Sequence, residues 1–145
     1  LRLYLVRHGE ARPDAEDAAR TLTERGRHAI ERVGRAAAER GVEVAEIRHS
    51  GLLRARQTAE ILATHLRPRG GVRATTGLAP EDDPDIARAE YGEAGEPLLL
   101  VGHLPHLARL EARLTGRQTE LSLQPGTMLA LARSANGWEL TWRID

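Results

Sequence analysis

Three short stretches of the chain carry groups able to do chemistry: Arg7-His8-Gly9, His49-Ser50-Gly51 and Gly102-His103. Arg54 follows Ser50 by four residues, about one helical turn. Guanidinium forks match phosphate oxygens. A histidine flanked by cations is held towards its neutral form, which leaves a lone pair available. A set of two arginines, His8, His103 and a serine therefore points to chemistry on a phosphate-like anion. Taken singly, each residue is ordinary. A histidine at a strand end is usually a hydrogen-bonded structural group, and an arginine on a helix is usually solvated. The joint placement carries the information.

That placement depends on the elements that hold these residues. Residues 2–7 read as a strand that stops on Arg7-His8. Residues 24–40 read as a helix with Gly26, Ile30, Val33 and Ala37 on one face, Thr21 or Thr23 as its cap and Gly41 as its stop. Residues 44–49 make a short strand. Residues 51–66 make a second helix with Leu52, Ala55, Ala59, Leu62 and Leu66 as its apolar stripe. A weak strand at 71–75 precedes an acidic, proline-bearing loop at 80–95, with a short helix at 84–91. Residues 97–103, continuously apolar up to Gly102, read as a parallel strand covered on both faces. A helix at 105–115 follows. The chain closes on a hairpin turned at Asn136-Gly137, with Trp138, Leu140, Trp142 and Ile144 alternating with polar residues.

Alternating strands and helices predict an α/β fold. The expected architecture is a three-layer α/β/α sandwich: a mostly parallel sheet, helices on both faces and a C-terminal antiparallel hairpin. Ligands of such sheets bind at the carboxyl ends of the strands, which is where the three polar stretches fall. Helix starts follow two of them, and such starts attract phosphate.

Composition narrows the function further. The 145 residues suit a single domain, 1–145. There is no cysteine, so disulfides, thiolate nucleophiles and cysteine metal sites are excluded. The 21 basic residues are all arginine and are balanced by 21 acidic ones, and aromatics are 3%. Zero net charge and few stacking rings argue against a nucleic-acid partner. No apolar run is long enough for a membrane partner. The first residues read as a strand rather than a targeting segment, so the expected location is cytoplasmic. The spacing of His103 and His106, i and i+3, would suit a metal, but no third ligand stands nearby in sequence. His28 and His65 are expected to be solvated on their helices, and His49 to pack beside the site.

These stretches together resemble the histidine phosphatase superfamily, also called phosphoglycerate mutase-like. "VRHGEA" is similar to its Arg-His-Gly signature, and "HSGLLRARQTA" to its Ser-x-x-x-Arg-Ala-x-x-Thr segment. "LLLVGHLPHL" is similar to its second-histidine segment, and "RTLTERGRHA" to the Leu-Thr-x-x-Gly start of its first helix. The short length, the "GHLP" wording and the "NGWELTW" hairpin resemble the SixA-type protein phosphohistidine phosphatases.

The resemblance implies that His8 is the nucleophile and passes through a phosphohistidine intermediate that water resolves. Arg7, Arg54 and His103 would surround the transferring phosphoryl group. Gly9 would let the chain turn tightly and bring the phosphate close to the backbone. Ser50 either adds a donor or caps a helix. Arg20 either reaches the phosphate edge or is a solvated surface residue. No metal or other cofactor is called for, since arginine and histidine carry the neutralising charge. A general acid, where one is used, would come from Glu81, Asp82, Asp83 or Asp85, with Glu10 as a further candidate. The alternative is that the 81–85 loop is simply solvated. The expected partner is a phosphohistidine-bearing protein, whose imidazole leaves without strong acid help. A small phosphoester is the second possibility. The chain is expected to act as a monomer.

Overall fold

The computed structural model describes residues 1–145. Its order is β1 (Arg2–Arg7), α1 (Glu24–Glu39), β2 (Glu46–His49), α2 (Leu53–Leu66), β3 (Val72–Ala74), α3 (Pro84–Tyr91), β4 (Leu98–Gly102), α4 (His106–Thr115), β5 (Met128–Ser134) and β6 (Gly137–Ile144). The six strands form one sheet in the order β3-β2-β4-β1-β5-β6. The first four strands in that order run parallel, and β5 and β6 are antiparallel additions.

β4 shows why the sheet has two covered faces. All five of its residues are buried. Leu98 and Leu100 join one core with Leu3, Leu5, Tyr91, Leu107 and Leu110, under α3 and α4. Leu99 and Val101 join a second core with Val6, Ile30, Val33, Ala59 and Leu62, under α1 and α2. A period of two on a strand divides one apolar run between two layers. The expected α/β/α sandwich is the observed one.

Local chemistry sets the helix boundaries. The Thr23 hydroxyl, rather than Thr21, caps α1 by accepting from Gly26 N at 2.9 Å. Gly26, Ile30, Val33 and Ala37 line its buried face as expected. Asp83 caps α3 by accepting from Asp85 N at 2.9 Å, and Pro84 takes the first helical position, where its missing N–H costs nothing.

Four expectations are corrected. The second strand begins at Glu46, not at 44, although Val44 is buried. Leu52 is not part of the α2 stripe; it precedes the helix and is 38% exposed. His65 is not a solvated helix residue. Its Nε2 meets Glu31 Oε2 at 2.6 Å, and its ring packs where Gly34 has no Cβ, tying α2 to α1. Finally, the aromatic hairpin strand does not present one face. A register shift at Ala130/Leu131 leaves Thr141 as an extra residue between Leu140 and Trp142. Such a bulge reverses the side-chain alternation. Trp138 and Leu140 therefore pack with α4, and Trp142 and Ile144 pack on the opposite core.

Candidate active site

The strand register brings the three polar stretches level. Arg7 lies beside Gly102, and His49 beside Val101. His8, Ser50 and His103 each stand one residue further on, at the carboxyl ends of three adjacent strands. His8 continues the ladder, its N–H donating to Gly102 O at 3.0 Å. The His8 and His103 rings approach to 4.9 Å between centroids, tilted by 51°.

Nδ1 of His8 lies 2.7 Å from the carbonyl of Gly9. A carbonyl only accepts, so Nδ1 carries the proton and Nε2 keeps its lone pair. Burial first of all pushes the His8 pKa down to about 4; the Gly9 bond, next in size, opposes it, and the charges of Arg54, Arg7 and Arg20 add to the lowering. His8 is therefore neutral at physiological pH, with one nitrogen held and the other free. His103 is pushed down further, to about 3, by burial and then by His8, Arg54 and other neighbours. Its Nε2 lies 2.6 Å from Ser50 Oγ, while its Nδ1 is buried without a partner. Ser50 Oγ accepts from Leu52 N at 3.3 Å, so its own proton is free to point at His103. Ser50 is thus a partner of His103 and not the N-cap of α2, which is Leu52.

The two arginines are the unusual cations of the molecule. Nη1 of Arg7 donates to Leu123 O at 2.8 Å, yet its Nε is buried with no partner. The Nε of Arg54 is equally buried and unpartnered. Neither side chain meets a carboxylate, and burial lowers both pKa values from the ordinary arginine range. A contrast lies at the other end of the sheet. The depression of about 450 Å³ around Trp138 also contains arginines, but Arg113 there pairs with Asp85, and Arg133 with Glu93. Desolvated guanidiniums without a carboxylate are arranged for an anion.

Arg20 joins this field. Its positive charge helps depress His8, His103 and Arg54. It has a φ of 51°, a left-handed conformation that costs a non-glycine residue on the order of 1 kcal/mol. Its backbone N–H donates to Asp17 O at 2.9 Å, and its Nε to Arg12 O at 3.0 Å, which holds the conformation. Arg20 is half-buried, and its Nε also lies 3.9 Å from Asp14 Oδ1.

Other expected residues play different parts. Gly9 is not a phosphate donor, because its N–H is spent on Thr58 Oγ1 at 3.0 Å. It is a glycine for lack of room: a Cβ there would stand 2.9 Å from Ile30 Cγ1. Thr58 is the residue that sequence reasoning passed over, although it ends the Ser-x-x-x-Arg-Ala-x-x-Thr segment. It accepts from Gly9 N and donates to Arg54 O at 2.8 Å, joining the turn after His8 to the helix that carries Arg54.

Glu10 is an ion-paired carboxylate. Arg25 grips both its oxygens, at 3.2 and 2.5 Å, and Thr23 donates to it at 2.8 Å. These bonds, Arg25 first, hold its pKa below the ordinary carboxylate value. Among the loop acids, Glu81 is exposed, Asp83 caps α3 and Asp85 pairs with Arg113. Asp82 accepts from Ala79 N at 2.9 Å and shares a surface depression with Ser50. His49 is buried and accepts from Gly51 N at 3.0 Å, as a packed structural residue should. His106 is fully buried, and neither ring nitrogen has a partner. No three His, Asp or Glu side chains come together in a way that would hold a metal ion. No helix is long and apolar enough to cross a membrane.

Known proteins share the fold. The family model "Histidine phosphatase superfamily (branch 1)" matches residues 3–79, which include Arg7, His8, Ser50 and Arg54. An uncharacterised protein of Picosynechococcus sp. is 38% identical, over 93% of this chain and 87% of its own length. The structure of the protein histidine phosphatase SixA complexed with tungstate superposes with a TM-score of 0.90 at 23% identity, covering 99% of this chain and 96% of that one. A mycobacterial glucosyl-3-phosphoglycerate phosphatase superposes at 0.69 and 19% identity, covering 97% and 98%. The fold is accordingly phosphoglycerate mutase-like. The chain belongs to the histidine phosphatase superfamily.

Proposed function

We propose that this phosphatase removes the phosphoryl group from protein phosphohistidine without a metal, through a phosphohistidine intermediate on His8. The carrying observation is a neutral His8, Nδ1 fixed by Gly9 O and Nε2 free, beside two guanidiniums that are buried at Nε and unpaired with any carboxylate.

In the first step Nε2 of His8 attacks phosphorus as the bond to the substrate imidazole breaks; that imidazole, protonated beforehand on its other ring nitrogen, keeps the bonding pair and leaves neutral. Arg7, Arg54 and Arg20 offer positive charge and N–H donors to the equatorial oxygens, where negative charge accumulates, and neutral His103 stands against the His8 ring. In the second step a water oxygen attacks phosphorus, the P–Nε2 bond breaks, and phosphate leaves with His8 restored. The Gly9 carbonyl keeps the imidazole in one tautomer throughout.

Two features support phosphohistidine as the substrate. Glu10 is committed to Arg25, so the nucleophile turn supplies no acid, and an imidazole leaving group needs less protonation than an alkoxide. The similarity to the SixA fold extends over nearly the whole chain.

A second reading, a broad phosphomonoesterase for small esters, is favoured by Asp82, which stands in the depression next to Ser50 and would be its acid. Incubation with a histidine-phosphorylated protein, an aryl phosphate and a sugar phosphate separates the two. The primary reading expects the phosphoprotein to have the highest kcat/KM. Faster turnover of the sugar phosphate, lost in Asp82→Asn, would establish the second.

A further inference from the structure

A protein substrate needs a surface beside the phosphate pocket on which the flanks of its phosphohistidine can rest. Only three large apolar side chains are exposed in the molecule: Leu1 at the chain start, Leu52 and Ile86. The last two stand by the site. Leu52 follows Ser50 by two residues and is tied to it through the 3.3 Å bond from its N–H. Ile86 is 55% exposed on α3 and lines, with Ser50, Thr75, Thr76 and Asp82, an open depression of about 400 Å³.

Ser50 belongs to both places. One side of it bonds His103 in the catalytic cluster, and the other forms a wall of the depression. The charge also changes sign across it. The phosphate pocket carries Arg7, Arg54 and Arg20. The depression has no basic residue in its lining and one acidic one, Asp82. Glu81 and Asp83 are exposed in the same turn. None of these three carboxylates enters an ion pair, whereas the neighbouring Asp85 is held by Arg88 and Arg113. A small phosphate ester gains nothing from an apolar and acidic shelf. A protein with an apolar side chain and a basic residue next to its phosphohistidine gains burial of Ile86 and a cationic partner for Glu81, Asp82 or Asp83, of which Asp82 and Asp83 otherwise accept only backbone N–H bonds.

We propose that the depression between Ser50 and Ile86 is the docking groove for a protein segment that carries an apolar residue and a basic residue beside its phosphohistidine. This rests on the phosphohistidine reading of the site and adds the sequence character of the partner.

The test compares two substrates of one chemistry: a histidine-containing phosphotransfer domain with a lysine beside its phosphorylated histidine, and free phosphohistidine. Ile86→Glu and, separately, Glu81→Lys are the variants. Each is expected to lower kcat/KM on the domain by about tenfold, mainly through KM, which corresponds to an ordinary interface side chain. Turnover of free phosphohistidine should stay within about twofold, since neither residue touches the reacting atoms. Unchanged kcat/KM on the domain in both variants would overturn the groove, as would an equal fall on both substrates. A wild-type protein that hydrolyses an aryl or sugar phosphate but neither phosphohistidine substrate would overturn the functional reading instead, so the two failures are distinct.

Discussion

Thr58 binds Gly9: its hydroxyl oxygen accepts the Gly9 N–H at 3.0 Å while its proton goes to Arg54 O at 2.8 Å. One fully buried hydroxyl thereby fixes the turn after His8, the proposed nucleophile, against the helix that carries Arg54. Thr58→Val keeps the shape and removes both bonds, leaving a buried N–H without an acceptor. The expected loss is about 1–3 kcal/mol of stability, read by urea titration. A fall in kcat of tenfold or more should accompany it, with KM for the phosphoprotein changed less, because the reacting groups lose their mutual position. Wild-type kcat in a folded Thr58→Val protein would show that this tie has no catalytic consequence.

The neutrality of His8 can be titrated directly. Its pKa stands at about 4 when folded, against 6.5 for the free side chain. The folded state thus binds the proton less well than the unfolded one. The stability linked to His8 is complete above pH 6.5 and is lost as pH falls from there towards 4. NMR titration of the His8 ring should give a midpoint near 4, and Tm should decline over the same window. A midpoint at 6.5 would mean that the arginines and burial do not act on the ring as described.

Arg54 should not tolerate lysine. Its guanidinium offers a planar fork, while an ammonium offers a point charge. Arg54→Lys is expected to lower kcat/KM by about 10²-fold, and Arg54→Ala by about 10²–10³-fold, the cost of one lost transition-state donor. Steady-state kinetics on a phosphohistidine protein provides the measurement, and near-wild-type activity in the lysine variant would show that charge alone suffices.

Glu10 offers the opposite expectation. Glu10→Gln leaves an acceptor for Thr23 and removes the exposed pair with Arg25, so the urea midpoint should barely move. kcat should stay within about threefold of wild type. A hundredfold loss would return Glu10 to the reaction as a proton donor.

The sequence made the sheet and the main cluster legible for a physical reason. A continuous apolar run such as Leu98–Val101 is dictated by burial on both faces, and functional groups collect where such runs stop. The 84–91 helix was legible only as a short segment inside an acidic loop, since its cap at Asp83 and its Pro84 start are shown by the fold. What escaped was contact between distant segments. Nothing local in "ILATHL" announces that His65 will find Glu31 across a bare Gly34. Nothing in "WELTWRI" announces the bulge at Thr141 that sends its two tryptophans to opposite cores. The duties of Glu10 and Gly9 were hidden in the same way, because Arg25 and Thr58 claim them from other elements. Arg20 became readable only once the chain was folded, since its left-handed backbone is set by Asp17 and Arg12.

The central claim is that His8 carries the phosphoryl group. Rapid quenching of the enzyme with a phosphorus-labelled phosphohistidine protein, followed by peptide mapping, tests it directly. The account predicts alkali-stable, acid-labile phosphate on the peptide containing His8, and none on His8→Ala, which should also lose turnover. Full turnover in His8→Ala, or label on a different residue, would contradict it.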